Sequence, residues 1–244
     1  HRFGVGQRKM LKEKSGIAPM VPHFLSMTAT PIPRTYALML YGDLDVSPLR
    51  EMPKGRIPVA TSVCAERERV SVYAYMSREI ADGRQCFVVC PRISSDEDSG
   101  GIPTVEDVYT KLSKDIFPNV RIGLLHGALS SQKKKSVMQS FVNGELDILI
   151  STSMVEVGVN VPNATCMVIE GADRFGLSQL HQLRGRVGRS THKSACFLFS
   201  SSFSKEAGDR LRFFANTHDG FAIAEYDAER RGTGDLYGTA QSGE

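Results

Sequence analysis

The stretch that decides the fold runs from residue 148 to residue 189 and reads ILISTSMVEVGVNVPNATCMVIEGADRFGLSQLHQLRGRVGR. Residues 148–150 form a short apolar run of the kind found in buried parallel strands, and the hydroxyl residues 151–153 follow where such a strand ends. A second run of this kind lies at residues 166–169. Because ligands of open parallel sheets bind at the carboxyl ends of the strands, the stretch predicts a ligand site as well as a sheet.

The end of the stretch, residues 179–189, predicts a short helix that carries an amide and several arginines. On a helix, Arg186 and Arg189 are three residues apart and point in similar directions. Guanidinium groups stay charged at all working pH values and hold phosphate oxygens through paired hydrogen bonds. Together with the amide of Gln182 they favour a triphosphate as the ligand, although an isolated Gly-Arg repeat is equally typical of a solvated basic turn.

Composition indicates a globular chain without a membrane segment. The 244 residues carry a net charge of only +3, and no apolar run approaches the roughly 18 residues that a membrane span needs. The five cysteines include no Cys-x-x-Cys pair, so that neither a disulfide framework nor a zinc site is indicated and a reducing interior is favoured. Because the chain begins with His1 rather than Met, the absence of a targeting segment carries no information.

The remaining sequence alternates between strand and helix patterns, as in a doubly wound parallel sheet. Further strands are predicted at residues 59–63, 85–90, 121–125 and 195–199, and helices at residues 70–81, 104–116 and 130–143. The alternation ends after residue 199, where a helix at residues 205–216 is followed by a segment that is helical at first and Gly-rich later. The sequence therefore predicts an α/β fold with a helical appendage.

Two segments resemble motifs V and VI of superfamily 2 helicases: EVGVNVPNA at residues 156–164 and QLRGRVGR at residues 182–189. The resemblance implies that three catalytic residues reach the γ-phosphate of ATP, namely Gln182, Arg186 and Arg189. It implies nucleotide binding by Glu156, Gly158, Asn160, Arg186 and Arg189. Asn160 stands where most relatives carry Asp, which keeps the hydrogen-bond geometry toward a ribose but removes the charge.

Four segments in the same order resemble the C-terminal part of the RecG family: HRFGV, TATPIPRT, the block of motifs V and VI, and the Gly-rich tail. The resemblance implies an ATP-dependent DNA helicase, a double-stranded DNA translocase that remodels stalled replication forks and Holliday junctions in recombination and repair. The chain departs from the family pattern at Gly6, Thr233 and Asp235. Two related classes stay open, a translocase of the transcription-repair coupling factor type and an RNA helicase relative.

The same resemblance divides the chain into four parts. Residues 1–48 are expected to end a first RecA-like domain, residues 49–58 to form a hinge, residues 59–200 to form the second RecA-like domain, and residues 201–244 to form a helical hairpin and translocation motif. No Gly-Lys dipeptide occurs, so the chain lacks a phosphate loop. The cofactors are expected to be ATP and Mg²⁺, with the magnesium ligands outside this chain. The chain alone is thus expected to be inactive, and a non-catalytic nucleic-acid-binding fragment is a third hypothesis.

Further residues acquire expected roles from the resemblance. DNA contacts are expected from Arg34, His126, Gly127, Ser151 and Thr152, and coupling of hydrolysis to movement from Thr28, Thr30, Arg210, Arg231 and Gln241. Three consecutive lysines, residues 133–135, allow two interpretations, a solvated helix face or contact with backbone phosphates.

The implied partner is branched double-stranded DNA, bound by a monomer that does not associate with membranes. A single-stranded DNA-binding protein is a second implied partner. The expected location is a soluble compartment that contains DNA, either the bacterial cytoplasm or, in a eukaryote, a plastid or mitochondrion.

Overall fold

The computed structural model describes residues 57–91, 103–152 and 161–231, together with the isolated residues Leu25, Met27, Ser47 and Leu49. Of Arg231 it describes the backbone alone. Several predicted site residues therefore lie outside the described residues: Thr28, Thr30, Arg34, Glu156, Gly158, Asn160, Gln241 and the side chain of Arg231.

The described residues form one sheet of six parallel strands: β1 Ala60–Cys64, β2 Gln85–Cys90, β3 Ile122–Leu125, β4 Ile148–Thr152, β5 Ala164–Ile169 and β6 Ala195–Phe199. Their order in the sheet is β1-β6-β5-β2-β4-β3. Every residue of β2, β4 and β5 is buried, because these apolar strands are covered on both faces. The α/β parallel sheet predicted from the sequence is confirmed.

Six α-helices lie in the described residues: α1 Arg69–Ala81, α2 Val105–Lys111, α3 Ser131–Val142, α4 Leu177–Arg184, α5 Lys205–Asn216 and α6 Gly220–Arg231. Helices α1 and α2 pack on the sheet face that carries Cys86 and Val88, whereas α3 to α6 pack on the face that carries Phe87 and Val89. Successive residues of a strand point to opposite faces, so one strand contributes to both cores.

Hydroxyl side chains cap α2 and α3, two of the helices that the sequence predicts. The Thr104 hydroxyl accepts a hydrogen bond from the Asp107 N–H at 3.1 Å, and the Asp107 carboxylate accepts one from the Thr104 N–H at 2.9 Å. The Ser130 hydroxyl caps α3 by accepting a hydrogen bond from the Lys133 N–H at 3.3 Å. These caps satisfy amide groups that have no partner inside the helix.

Two predicted helices end earlier than expected. The helix predicted at residues 104–116 is α-helical only as far as Lys111 and continues as a π-type turn, Leu112–Ile116. The helix predicted at residues 179–189 begins earlier, at Leu177, and ends at Arg184, where Gly185 caps it. Glycine weakens a helix because it loses the most conformational freedom on ordering.

The last two described helices share the core of the sheet. Phe213 of α5 stacks on Tyr226 of α6, with ring centroids 3.8 Å apart and planes inclined by 8°. Phe214 and Ile223 are buried in the cluster that also contains residues of α4, β5 and β6. The hairpin of α5 and α6 is therefore packed directly against the element that carries Gln182.

Candidate functional site

The predicted phosphate-binding residues lie on the segment that leads from the carboxyl end of β5 back to the amino end of β6. The segment after β5 begins with Glu170 and Gly171, the latter in the left-handed conformation with φ of 54°. It then forms the short 3-10 turn Ala172–Arg174 and leads into α4. This loop determines where the polar residues of α4 are held.

The inner face of α4 is apolar and fixes the orientation of the helix. Leu177, Leu180 and Leu183 are buried in the core at a spacing of three residues. Gln182 is half-buried on another side of the helix, and its amide has no hydrogen-bond partner among the described residues. An amide that keeps its donors and acceptor free is suited to bind a ligand.

Arg186 lies on the turn after α4 and not on the helix, which corrects the helical prediction for residues 185–189. The Arg186 N–H donates to the Leu183 carbonyl at 2.9 Å, and the Val187 N–H donates to the Arg184 carbonyl at 3.3 Å. Val187 is fully buried and anchors the turn in the core. The directions of Arg186 and Arg189 are therefore determined by this turn and not by their spacing on a helix.

The Arg186 guanidinium is half-buried and has neither a carboxylate nor any other side-chain partner among the described residues. Burial accordingly lowers the pKa of Arg186. A partly desolvated cation without a counter-charge is unfavourable for folding. Such a residue is a candidate for binding an anionic ligand, which would supply the missing charge.

Arg189 is placed differently from Arg186. Its Nε donates a hydrogen bond to the Gly185 carbonyl at 2.8 Å, so the side chain folds back along the turn. In this arrangement Arg189 helps to fix the turn that carries Arg186. The expected role of Arg189 at the γ-phosphate stays a prediction.

Gly188 explains how the turn approaches the sheet. Its φ is 70°, and a Cβ at this position would lie 2.6 Å from Cγ2 of Val59. We expect Gly188→Ala to lower the free energy of unfolding by roughly 2 to 4 kcal/mol, because a steric clash adds to the backbone strain. Chemical denaturation measures this loss.

Gly144→Ala provides the matched control for this change. Gly144 has φ of 76°, but a Cβ there would meet nothing within 4 Å. The control should therefore cost only the backbone strain, about 1 to 2 kcal/mol. Equal losses in the two variants would show that contact with Val59 does not restrict position 188.

A third arginine, Arg184, was not assigned a role from the sequence. It is only 4% exposed, and it donates hydrogen bonds to the carbonyls of Phe214 at 3.1 Å and Thr217 at 2.9 Å. Its guanidinium carbon also lies 4.2 Å from the centroid of the Phe214 ring. Burial lowers the pKa of Arg184, and the partial negative charge at the C-terminal end of α5 offsets part of that cost.

The signal for Arg184 was present in the sequence. Position 184 lies four residues after Leu180 and seven after Leu177, so the helical period places it on the apolar side of α4. An arginine at such a position must find buried acceptors. Its acceptors lie some thirty residues later in the chain, in a helix whose docking position the sequence pattern does not predict.

Arg210, a predicted coupling residue, fastens α5 to the loop before α4. Its guanidinium donates to the carbonyl of Phe175 at 3.1 Å and to that of Asp173. The Asp173 carboxylate in turn accepts hydrogen bonds from the backbone N–H of Ser201 at 2.6 Å and from the hydroxyl of Ser200 at 3.1 Å. These hydrogen bonds hold the pKa of Asp173 below its usual value despite partial burial.

Four of the five residues predicted to contact DNA lie at the ends of two neighbouring strands, and the fifth, Arg34, lies outside the described residues. Ser151 is the register partner of Leu125, which precedes His126 and Gly127. Ser151 and Thr152 are both buried within β4. Oγ of Ser151 and Nδ1 of His126 are buried without a hydrogen-bond partner among the described residues. The structure thus brings these four predicted residues to one edge, and their contact with DNA stays a prediction.

Within the described ranges, no group of three or more His, Cys, Asp or Glu residues could hold a metal ion. None of the described helices is long and apolar enough to cross a membrane.

Comparison with known proteins identifies the relatives of this chain. The helicase conserved C-terminal domain family matches residues 69–191. An ATP-dependent DNA helicase RecG of Staphylococcus epidermidis is 49% identical over 243 residues, which cover 100% of this chain and 35% of the relative. The RecG of Synechocystis sp. is 51% identical over 243 residues, with coverage of 100% and 29%. This chain thus spans about a third of the length of these relatives.

Solved structures give the same result. The structure of a RecG bound to a three-way DNA junction matches with a TM-score of 0.72 and 47% identity, over 85% of this chain and 27% of that chain. A yeast Dbp5 structure with Gle1 matches with a TM-score of 0.54 and 16% identity, over 93% of this chain and 53% of that chain. The second match supports the fold alone. The first supports the resemblance to RecG that motifs V and VI and the Gly-rich tail predicted.

Proposed function

Because the chain belongs to the helicase conserved C-terminal domain family and is similar over its whole length to RecG helicases, we propose that it is the second RecA-like half of an ATP-driven DNA motor. The full-length protein, in this proposal, translocates along double-stranded DNA and remodels stalled forks and Holliday junctions. Branched DNA is the proposed substrate, since the similar RecG was solved on a three-way junction. The motor acts as a monomer in a soluble, DNA-containing compartment, with a single-stranded DNA-binding protein as a further partner.

One observation carries the assignment of the nucleotide site, namely that the half-buried guanidinium of Arg186 has no side-chain partner in the described part of the chain. A triphosphate would supply the negative charge that the described residues do not offer. Guanidinium groups are suited to neutralise the charge that develops during phosphoryl transfer. The amide of Gln182, which no described residue engages, lies four residues earlier in the chain and would add a hydrogen bond.

The described residues fit ATP better than they fit Mg²⁺. Gln182, Arg186 and Arg189 offer donors to phosphate oxygens, whereas none of the three is a carboxylate of the kind that coordinates Mg²⁺. ATP supplies the phosphoryl group whose transfer to water releases free energy. The magnesium ligands and the phosphate-loop lysine are assigned to the preceding half of the motor, because this chain lacks a Gly-Lys dipeptide. Glu156, Gly158 and Asn160 are proposed to complete the nucleotide site.

The contacts of Arg184 and Arg210 suggest how a change at the nucleotide would reach the rest of the chain. Arg184 follows Gln182 by two residues and holds the end of α5, whereas Arg210 holds the loop at the start of α4. A displacement of α4 would therefore move the α5–α6 hairpin together with it. Thr28, Thr30, Arg231 and Gln241 are proposed to extend this coupling.

The proposed function is tested by the nucleic acid that stimulates ATP turnover of the full-length protein. We expect linear duplex DNA and a three-way junction to stimulate turnover, and duplex RNA of the same sequence to leave it near the basal rate. The junction should also be converted to separate duplexes in an ATP-dependent manner, as gel separation of labelled strands would show. Stimulation by RNA at least equal to that by DNA would favour the RNA helicase hypothesis instead.

A further inference from the structure

Lys134 stands in the middle of three consecutive lysines but differs from its neighbours in its contacts. Its Nζ donates a hydrogen bond to the Gly127 carbonyl at 2.7 Å, and its side chain is half-buried. Lys133 and Lys135 are exposed, and neither side chain has a hydrogen bond among the described residues. The run of lysines therefore contains one residue with a local structural contact and two solvated charges.

The contact fixes the turn that connects β3 to α3. This turn is closed by a hydrogen bond from the Leu129 N–H to the His126 carbonyl at 3.2 Å. Ser130 then caps α3, and Lys134 reaches back from the first turn of the helix to the Gly127 carbonyl. Holding this carbonyl sets the orientation of the peptide plane between Gly127 and Ala128.

The orientation of that plane determines where its amide donor points. The described peptide bonds include no cis bond, so the carbonyl of Gly127 and the N–H of Ala128 point in opposite directions. With the carbonyl turned toward the ammonium of Lys134, the N–H is directed away from it. Ala128 is exposed, and its N–H has no hydrogen-bond partner among the described residues.

We infer that Lys134 is a positioning residue: it holds the His126–Gly127 turn so that the Ala128 N–H is presented to a phosphate of the DNA backbone, without itself binding that phosphate. The inference rests on the proposed function, in which this turn contacts DNA. A backbone amide is a common partner of DNA phosphates and adds no charge of its own. Lys134 then contributes to DNA affinity through geometry, whereas Lys133 and Lys135 contribute only diffuse positive charge.

Salt dependence distinguishes a positioning lysine from a phosphate-binding one. Removing one cation that neutralises a phosphate lowers the slope of log affinity against log salt by about 0.9, because fewer counterions are released. Removing a neutral amide contact weakens binding but leaves that slope unchanged. The DNA affinity and its dependence on salt concentration must therefore both be measured.

The experiment measures the duplex DNA concentration that gives half-maximal ATP turnover of the full-length protein, at several salt concentrations. We expect Lys134→Met to raise this concentration about tenfold, the scale of one lost hydrogen bond to a charged group, with an unchanged salt slope. Lys134→Arg, which keeps a donor for the Gly127 carbonyl, should restore the value to within about threefold of the parent. Lys133→Met and Lys135→Met should each change it by about twofold or less.

Four outcomes would overturn the inference. A slope lowered by about 0.9 in Lys134→Met would make the lysine a direct phosphate ligand. A lowered thermal midpoint with an unchanged half-saturating DNA concentration would make its role purely structural. Weaker DNA binding in His126→Ala together with parent-like DNA binding in Lys134→Met would support the DNA contact of the turn. It would also show that Lys134 has no role in that contact. If both variants bind DNA as the parent does, the DNA contact proposed for this turn fails as well.

Discussion

Replacing Arg186 by alanine in the full-length protein is expected to lower ATP turnover by about 10³ or more, the effect of losing an arginine that stabilises the transferring phosphoryl group. The physical reason is that the half-buried guanidinium has no counter-charge among the described residues, so its charge is available to the phosphates. DNA affinity should change little, because the turn after α4 is not among the segments proposed to contact DNA. Steady-state turnover and a DNA-binding titration on the same preparations measure both quantities.

Two further variants test whether the loss of turnover is caused by removal of the guanidinium group itself. Arg186→Lys keeps a positive charge but loses the planar fork of donors, so we expect it to recover only a small part of the turnover. Arg78→Ala removes an exposed arginine from α1, on the opposite face of the sheet, and should leave turnover within about twofold of the parent. Parent-like turnover in Arg186→Ala would remove this residue from the nucleotide site.

The central strands were predictable because their apolar runs are short and continuous, and because Gly83, Asp147 and Asn163 stand within two residues before β2, β4 and β5. The limits of β2 and β6 agree with the sequence prediction at both ends, and β4 was predicted two residues short. Ser151 and Thr152 were assigned to the exit from the strand because they are polar. In the structure they continue the ladder, with Ser151 paired to Val89 and Thr152 to Cys90 of β2. The pairing of β4 with β2 thus extends the strand through two polar residues, which the local pattern of residues does not predict.

The arginine segment was predicted in part. The sequence indicated a site at the carboxyl ends of the strands. In the structure the helix stops at Gly185, and the turn that carries Arg186 lies beside Val59 and Ser194, which directly precede β1 and β6. Gly188 is in the left-handed conformation and lies so close to Val59, which is far away in sequence, that a Cβ would clash. Local periodicity contains no information on such a contact, so a helical extrapolation fails at that point.

The hydrogen bonds of Arg184 make a second large effect predictable, this time on stability. The carbonyls of Phe214 and Thr217 both lie at the end of α5, and the guanidinium satisfies both while packing against the Phe214 ring. A methionine at position 184 fills a similar volume but cannot donate a hydrogen bond. Both carbonyls then lose the guanidinium donor, and among the described residues only that of Phe214 keeps another, the Thr217 N–H at 3.3 Å. A buried carbonyl left unsatisfied costs about 1 to 3 kcal/mol, and the contact with the Phe214 ring is lost as well.

We therefore expect Arg184→Met to lower the free energy of unfolding by roughly 2 to 4 kcal/mol. Arg212→Met is the matched control, because Arg212 lies on α5, is 60% exposed, and forms only a surface ion pair with Asp209 at 2.6 Å. It should cost about 0.5 kcal/mol or less. Chemical denaturation of the full-length protein, followed by a probe in the α5–α6 hairpin, measures both changes. Since Arg184 joins the arginine segment to that hairpin, ATP-driven junction remodelling should also fall more steeply than ATP turnover. An equal fall in both rates, or equal stability losses in the two variants, would show that Arg184 does not connect the nucleotide site to the hairpin.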